Sequence, residues 1–238
     1  MKKIYLLSLS AAMILWSCQT SQHDIAGKQR LHWQGIYNGF LPCASCPGIV
    51  TTIKLNHNKT FAKTDLYLGE KGGYFSKQGT FSFTEDGKHI VIKPKTGGKT
   101  MYAVEENRLI MLNEAGEKST SELATMYKLN KAADAEVVFS DKPIKGLLTF
   151  GHEVSTFRPC ASLTTYWLKD FPDGQLTKHY QQKLGLPSTP PYTPVLAELV
   201  VKNTGKAEQG FAAQYAGVLQ ALKLNSLELL SPQNHCGK

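Results

Sequence analysis

The seven residues IVTTIKL, Ile49–Leu55, decide the fold of the first half of this chain. They follow a Cys-x-x-Cys pair, Cys43 and Cys46, almost directly, and they are mostly β-branched, which favours a strand over a helix. The alternation within TTIKL predicts one buried face and one solvent-exposed face. A thioredoxin-type thiol needs a helix N-terminus at the pair to lower its pKa. The strand therefore argues against a redox catalyst.

Similar strand-like runs continue on both sides of this stretch, separated by short turns rich in Gly, Asn and Asp. Short strands with tight turns predict an antiparallel meander that closes as a barrel or a sandwich. The predicted strands of this region are 33–40, 49–55, 60–68, 75–84, 89–93, 101–105, 108–112 and 126–129.

A polar stretch, residues 131–145, is predicted to link this region to a second domain at 146–238. Leu176, Tyr180 and Leu184 recur at fourfold spacing and predict a helix over 174–184. Strands with one helix in about 90 residues favour a small Greek-key barrel of the OB type. The predicted strands here are 144–150, 166–169, 195–202 and a closing strand within 217–230.

The N-terminus, MKKIYLLSLSAAMILWSC, has two lysines, an apolar run and small residues before Cys18. It is typical of a signal peptide, and it is shorter than the roughly 20 apolar residues of a spanning helix. Its end resembles a lipobox, so residues 1–17 are predicted to be removed and Cys18 to be acylated. Residues 18–30 then form a tether. Gln19, rather than an aspartate, follows Cys18, which resembles the sorting signal of outer-membrane lipoproteins. This predicts a lipid-anchored protein that mainly faces the periplasm. The alternative is an ordinary signal peptide with an accidental cysteine.

Charge and motifs exclude several function classes. The formal net charge is +8, but the positive residues are scattered and form no basic run, so nucleic acid is not a predicted partner. His152-Glu153 lacks the second histidine of a zinc-protease motif, because Thr156 stands in its place. The sequence contains no Gly-x-Ser-x-Gly, P-loop or dinucleotide fingerprint. We predict that the protein is not an enzyme.

Four cysteines follow Cys18, and an even number in an exported chain suggests disulfides. Of three possible pairings, Cys43–Cys46 with Cys160–Cys236 is the simplest. When reduced, Cys43 and Cys46 would instead offer two soft thiolates that suit Cu(I). Zinc would need four ligands. The candidate third ligands for the reduced pair are His32 and His57.

Several motifs carry a family resemblance. YNGFLPCASCPGI at 37–49, DLYLG at 65–69, GTFSF at 79–83, NRLIMLNEAGE at 107–117 and MYKLNK at 126–131 resemble, in this order, the N-terminal domain of the NlpE lipoproteins. These are also called copper homeostasis or copper resistance lipoproteins. GHEVSTFRPC at 151–160, YWLKD at 166–170, GFAAQYAGVL at 210–219 and Cys236 resemble their OB-like C-terminal domain. The resemblance implies a mainly β protein, with a lipocalin-like antiparallel barrel over 31–130 followed by an OB-type barrel with one helix.

The resemblance also implies a sensor of envelope stress. Such a protein reports surface contact, lipoprotein-sorting defects or failed disulfide formation to an inner-membrane sensor kinase, and an outer-membrane protein is a further candidate partner. Failed oxidation of Cys160 and Cys236 would loosen the C-terminal domain; the alternative is a purely structural bridge. Two other functions stay open. One is copper binding at Cys43 and Cys46, with Cu(I) as the cofactor, and the other is a lipocalin-like carrier of a small apolar ligand.

Overall fold

The computed structural model describes residues 32–185, 189–190 and 192–238. These residues belong to one compact unit, Leu31–Lys238, in which the chain forms two closed β-barrels. The predicted mainly β fold is therefore confirmed. The predicted signal peptide, the lipidated Cys18 and the tether lie outside the described residues. Within the described part of the chain, the helices are too short or too polar to cross a bilayer.

The first barrel is an antiparallel meander of eight strands. Each strand pairs with the next along the chain, and β1 pairs with β8 to close the barrel. All eight predicted strands are present, within a residue or a few at their ends. They are β1 Gly35–Leu41, β2 Ile49–Leu55, β3 Thr60–Tyr67, β4 Tyr74–Phe83, β5 His89–Pro94, β6 Thr100–Glu105, β7 Arg108–Met111 and β8 Lys128–Ala133, with a 3-10 helix at Glu122–Tyr127.

The interior of this barrel follows the two-residue period of its strands. Tyr37, Ile53 and Phe61 point inward from β1, β2 and β3 and are buried in one apolar cluster. Trp33 packs against that cluster at the end where β1 begins, in edge-on contact with the ring of Phe81. This end of the barrel is thus closed by aromatic side chains.

The second barrel has five strands in the order β10-β11-β13-β12-β9, and β11 runs parallel to β13. A helix between the third and fourth strands completes the OB arrangement. The elements are β9 Ile144–Gly151, β10 Val154–Pro159, β11 Tyr166–Lys169, α1 Gln175–Leu184, β12 Val195–Asn203, a 3-10 helix at Phe211–Gln214 and β13 Val218–Leu229. Strand β10 was not predicted from the sequence, because it is short, carries several polar residues and ends in a proline.

Helix α1 packs on the second barrel through the face that the fourfold spacing of its apolar residues predicted. Leu176, Tyr180 and Leu184 are all buried in the core of the second barrel. Asp170 caps the first turn, because its two carboxylate oxygens each accept a backbone N–H, from Leu176 and Thr177, at 3.0 Å. The carboxylate thereby satisfies donors that the helix leaves unpaired.

One prediction about the opening stretch was wrong. The alternation in β2 predicted a solvent-exposed face, yet Thr52 on its outer face is fully buried. The same holds for β1, whose seven residues are all buried. The cause is tertiary, since the second barrel packs on the outside of the first at these strands. That contact is the setting of the candidate site.

Candidate functional site

The Cys43–Cys46 pair forms a disulfide in the loop between β1 and β2, with the two Cα atoms 5.3 Å apart. Strands lie on both sides of the loop, as predicted, so neither cysteine stands at a helix N-terminus. Gly48 closes the loop at φ +156, and a Cβ there would lie 2.0 Å from the Phe40 ring. The bridge therefore shapes a tight connection at one end of the first barrel.

The structure does not assemble a metal centre around this pair. The bridge offers no thiolate, and the described residues contain no group of three or more His, Cys, Asp or Glu side chains that could hold a metal ion. The candidate third ligands, His32 and His57, do not lie beside the pair in this structure. Leu41 opposes Ile49 beside the cysteine loop, whereas the two histidines adjoin the other end of the same hairpin. Six residue steps separate the ends, about 20 Å along the strands.

The second bridge joins Cys160, just after β10, to Cys236 in the C-terminal segment. The favoured pairing of the four cysteines is thus the one present. Each of these cysteines is 8% exposed. The Cys160 backbone N–H also donates to the Lys145 carbonyl at 2.8 Å, which fixes this cysteine to β9. The bridge therefore fastens the last residues of the chain to the second barrel.

The same bridge lies in the contact between the barrels. Both of its cysteines belong to a buried apolar cluster that includes residues of each barrel. The first barrel contributes Phe40, Val50 and Leu68 to it, and the second contributes Leu147 and Leu196. This cluster, which we call the interface cluster, is distinct from the two barrel cores. A change at the bridge therefore acts on the docking of the barrels.

A row of polar side chains crosses the outer face of the first barrel beside this cluster. Asn38, Thr52 and Thr64 are register partners on β1, β2 and β3, and all three are buried. Thr52 donates to Asn38 Oδ1 at 2.7 Å, and Asn38 Nδ2 donates to the Cys160 carbonyl at 2.8 Å. Arg158 on β10 donates from Nη1 to Thr52 Oγ1 at 3.2 Å and to Thr64 Oγ1 at 3.3 Å. This polar row links the bridge to three strands.

The C-terminal segment also reaches the first barrel. Asn130 Nδ2 on β8 donates to the Gly237 carbonyl at 2.8 Å. His235 is buried, its ring centroid lies 6.0 Å from that of Phe40, and its Nδ1 accepts the Gly237 N–H at 2.9 Å. Burial, and then the charge of Lys238, lowers the pKa of His235 from 6.5 to about 4. Protonation of this imidazole therefore opposes the docked segment.

A second polar group lies inside the first barrel. Asp65 accepts a hydrogen bond from the Thr51 hydroxyl at 2.6 Å and forms an ion pair with Lys63 at 2.8 Å. The hydroxyl of Tyr102 is buried without a hydrogen-bond partner among the described residues. Burial, and then the charge of Asp65, raises the pKa of this phenol. These charges do not favour the binding of an apolar ligand in this part of the interior.

Sequence reasoning missed the residues of the polar row and His235. Asn38 carried a usable signal, because asparagine is depleted in strands and this one stands within an apolar strand run. Thr52 and Thr64 carried no such signal in the sequence, since threonine is common on a solvent-exposed strand face. Arg158 lies two residues before Cys160, but nothing in the sequence indicates that its side chain is buried against another domain.

The sequence matches known proteins over part of its length. The model of the NlpE N-terminal domain matches residues 37–122. Lipoprotein NlpE of Escherichia coli (strain K12) is 30% identical over 128 residues, 53% of this chain and 52% of that protein. The 17 kDa lipoprotein of Treponema pallidum (strain Nichols) is 32% identical over 109 residues, 41% of this chain and 69% of that protein. The crystal structure of the Cpx pathway activator NlpE from Escherichia coli is 22% identical, covers 86% of this chain and 98% of that chain, and has a TM-score of 0.32.

The family-model match lies in the first barrel. The family model begins within β1 and ends at the 3-10 helix before β8, so it includes the Cys43–Cys46 loop. The sequence match to the Escherichia coli protein spans about half of that protein's length. The match to the Treponema lipoprotein covers more than two thirds of it at 32% identity. The chain belongs to the NlpE family of lipoproteins.

Proposed function

We propose that this protein is a lipid-anchored envelope sensor, which detects failed disulfide formation and signals to an inner-membrane sensor kinase. Family membership supports a signalling role, because the Escherichia coli member is named as the activator of the Cpx pathway. Acylation at Cys18 would hold the sensor at the outer membrane, facing the periplasm.

The observation that carries the proposal is the position of the Cys160–Cys236 bridge. A bridge confined to the second barrel would report on that barrel alone. This one lies in the interface cluster, and the carbonyl of Cys160 accepts a hydrogen bond from Asn38 of the first barrel. The oxidation state of two sulfurs is thereby coupled to the contact between two domains.

The reduced protein would differ from the oxidised protein in a defined way. Without the bridge, the C-terminal segment is held only by weak contacts, such as the hydrogen bond from Asn130 to Gly237. Its departure removes Cys236 and His235 from beside Phe40. The outer face of β1 around Phe40 would then be uncovered, and we propose that this face is the surface presented to the kinase. The oxidised, docked form is silent and the reduced form is active.

An envelope-stress reporter in a strain with a matching sensor kinase tests the proposal. Cys160→Ser and Cys236→Ser are expected to raise the reporter signal at equal protein levels. The matched control is Cys43→Ser, which removes a bridge outside the interface cluster and is expected to leave the signal near the wild-type value. An unchanged signal in the first two variants, or an equal rise in all three, would count against the proposal.

A further inference from the structure

The docked barrels bury a positive charge that has no counter-charge within the described part of the chain. The Arg158 side chain is 5% exposed. Among the residues that the structure describes, it forms no ion pair, and its Nη1 contacts only hydroxyl oxygens and the Ser162 carbonyl, the latter at 3.4 Å. Its Nη2 is buried and has no hydrogen-bond partner there. Burial lowers the pKa of Arg158, and the nearby Tyr74 partly opposes this.

Such a group needs an explanation. A guanidinium cannot give up its proton at any ordinary pH, so burial leaves a full charge whose lost solvation neutral hydroxyls recover only in part. Buried charges in proteins are normally paired, and a water molecule or an ion is among the partners that satisfy a buried donor of this kind. Thr52, Thr64 and Ser162 supply oxygen atoms but no negative charge.

We propose that the seam between the barrels binds a small oxyanion, with the carboxylate or phosphate chemistry that Arg158 is shaped to recognise, and that this ion stabilises the docking. The guanidinium matches two oxygens of such an ion through its planar fork of N–H groups. Nη2 supplies two free N–H donors. The hydroxyl proton of Thr64 is a further donor, since it is used in none of the hydrogen bonds of the described residues.

The polar row extends to the surface of the first barrel. In the register of the first barrel, Thr64 on β3 opposes Ser76 on β4, and Ser76 is exposed. Tyr74, two residues before it on the same outer face, is 47% exposed. The row therefore runs from the buried guanidinium to the surface along neutral hydroxyl groups. The site needs neither the lipid anchor nor a signalling partner, and it is separate from the redox chemistry of the bridge.

Thermal unfolding of the full-length protein in detergent tests the site, with phosphate and formate as the two probes. Each probe is titrated against chloride at constant ionic strength, so that general screening is the same throughout. Above the dissociation constant, the melting temperature of the wild type is expected to rise with the logarithm of the probe concentration, by about 5 to 10 °C at a hundredfold excess. A response to both probes indicates a general oxyanion site, and a response to one identifies its class.

Arg158→Met is the decisive variant, because it keeps the length of the side chain and removes the charge. It is expected to lose the anion response and, since an apolar side chain suits a buried site, to melt in chloride no lower than the wild type. Arg108→Met is the matched control, since Arg108 is exposed and paired with Glu105, and it should keep the full response. An equal response in the wild type and Arg158→Met, or no response in the wild type, would overturn the proposal.

A second measurement tests the site if Arg158→Met does not fold. The ³¹P line of phosphate should broaden in the presence of the wild type, and the broadening should fall severalfold in Thr64→Val, which keeps the charge and loses one hydroxyl. Broadening that is absent in the wild type, or unchanged in Thr64→Val, would reject an oxyanion at this position.

Discussion

Removal of the two bridges should have unequal effects on stability. Cys160–Cys236 closes a loop of 76 positions, whereas Cys43–Cys46 closes one of three. The loop-entropy relation gives about 4.5 kcal/mol for the long loop and about 1.6 kcal/mol for the short one. We therefore expect replacement of Cys160 and Cys236 by alanine to lower the free energy of unfolding by about 3 kcal/mol more than replacement of Cys43 and Cys46.

The position of the long bridge also predicts where the loss appears. Trp33 packs on the core of the first barrel, and Trp167 lies in β11 of the second. Urea unfolding followed by fluorescence, in Trp33→Phe and Trp167→Phe backgrounds, reports each barrel separately. With both bridges intact, the docked barrels should unfold in one transition. Without Cys160–Cys236, the second barrel should unfold at lower urea than the first.

Two outcomes would refute this reasoning. If the two double variants lose the same free energy, loop length is not the dominant contribution of either bridge. If the transitions reported by Trp33 and Trp167 shift together by the same amount in the variant without Cys160–Cys236, the bridge does not hold the contact between the barrels. A dithiothreitol titration in the same two tryptophan backgrounds repeats the comparison of the two barrels without substitution of the cysteines.

Three further predictions concern single groups. Because the pKa of His235 falls from 6.5 in the unfolded state to about 4 in the folded state, protonation favours the unfolded state. The contribution of neutral His235 to the free energy of unfolding is complete above pH 6.5 and is lost as the pH falls towards 4, by at most about 3 kcal/mol. His235→Asn should therefore make the free energy of unfolding in urea less dependent on pH over that range. Tyr102→Phe removes a buried, unpaired hydroxyl and should raise the free energy of unfolding by about 1 kcal/mol, whereas the control Tyr37→Phe breaks a 2.6 Å hydrogen bond and should lower it by about 1 kcal/mol. Reduced protein titrated with Cu(I) against a competing chelator should bind more tightly than Cys43→Ser, and equal affinities would exclude a two-thiolate site.

Local patterns were sufficient to predict the fold. The eight strands of the first barrel are separated by turns whose glycines and asparagines mark each reversal, and each strand pairs with its neighbour in sequence. The fourfold spacing of Leu176, Tyr180 and Leu184 likewise identified α1, because helix period and burial coincide there. Strand β10 was missed because Ser155, Thr156 and Arg158 resemble a polar connection until its neighbours are known.

The candidate site could not be predicted in the same way, because it exists only where two barrels meet. Thr52 looks like a solvent-exposed strand residue from its own neighbours, and only the arrival of Arg158, 106 positions later, buries it. The disulfide pairing could be narrowed to three possibilities by counting cysteines. Its place in the interface cluster follows from tertiary packing, which the periodicity of single strands does not contain.

The strand order has a consequence for the time course of folding. In the first barrel every pairing except β1 with β8 joins neighbours in sequence, so most of it can assemble hairpin by hairpin. The second barrel needs β9 to meet β12 and β11 to meet β13, each across about 50 residues, and such non-local pairings form slowly. A molecule caught midway therefore has the hairpin pairings of its first barrel in place beside an unfinished second barrel. Its docking face stays open for as long as the slower half takes to fold.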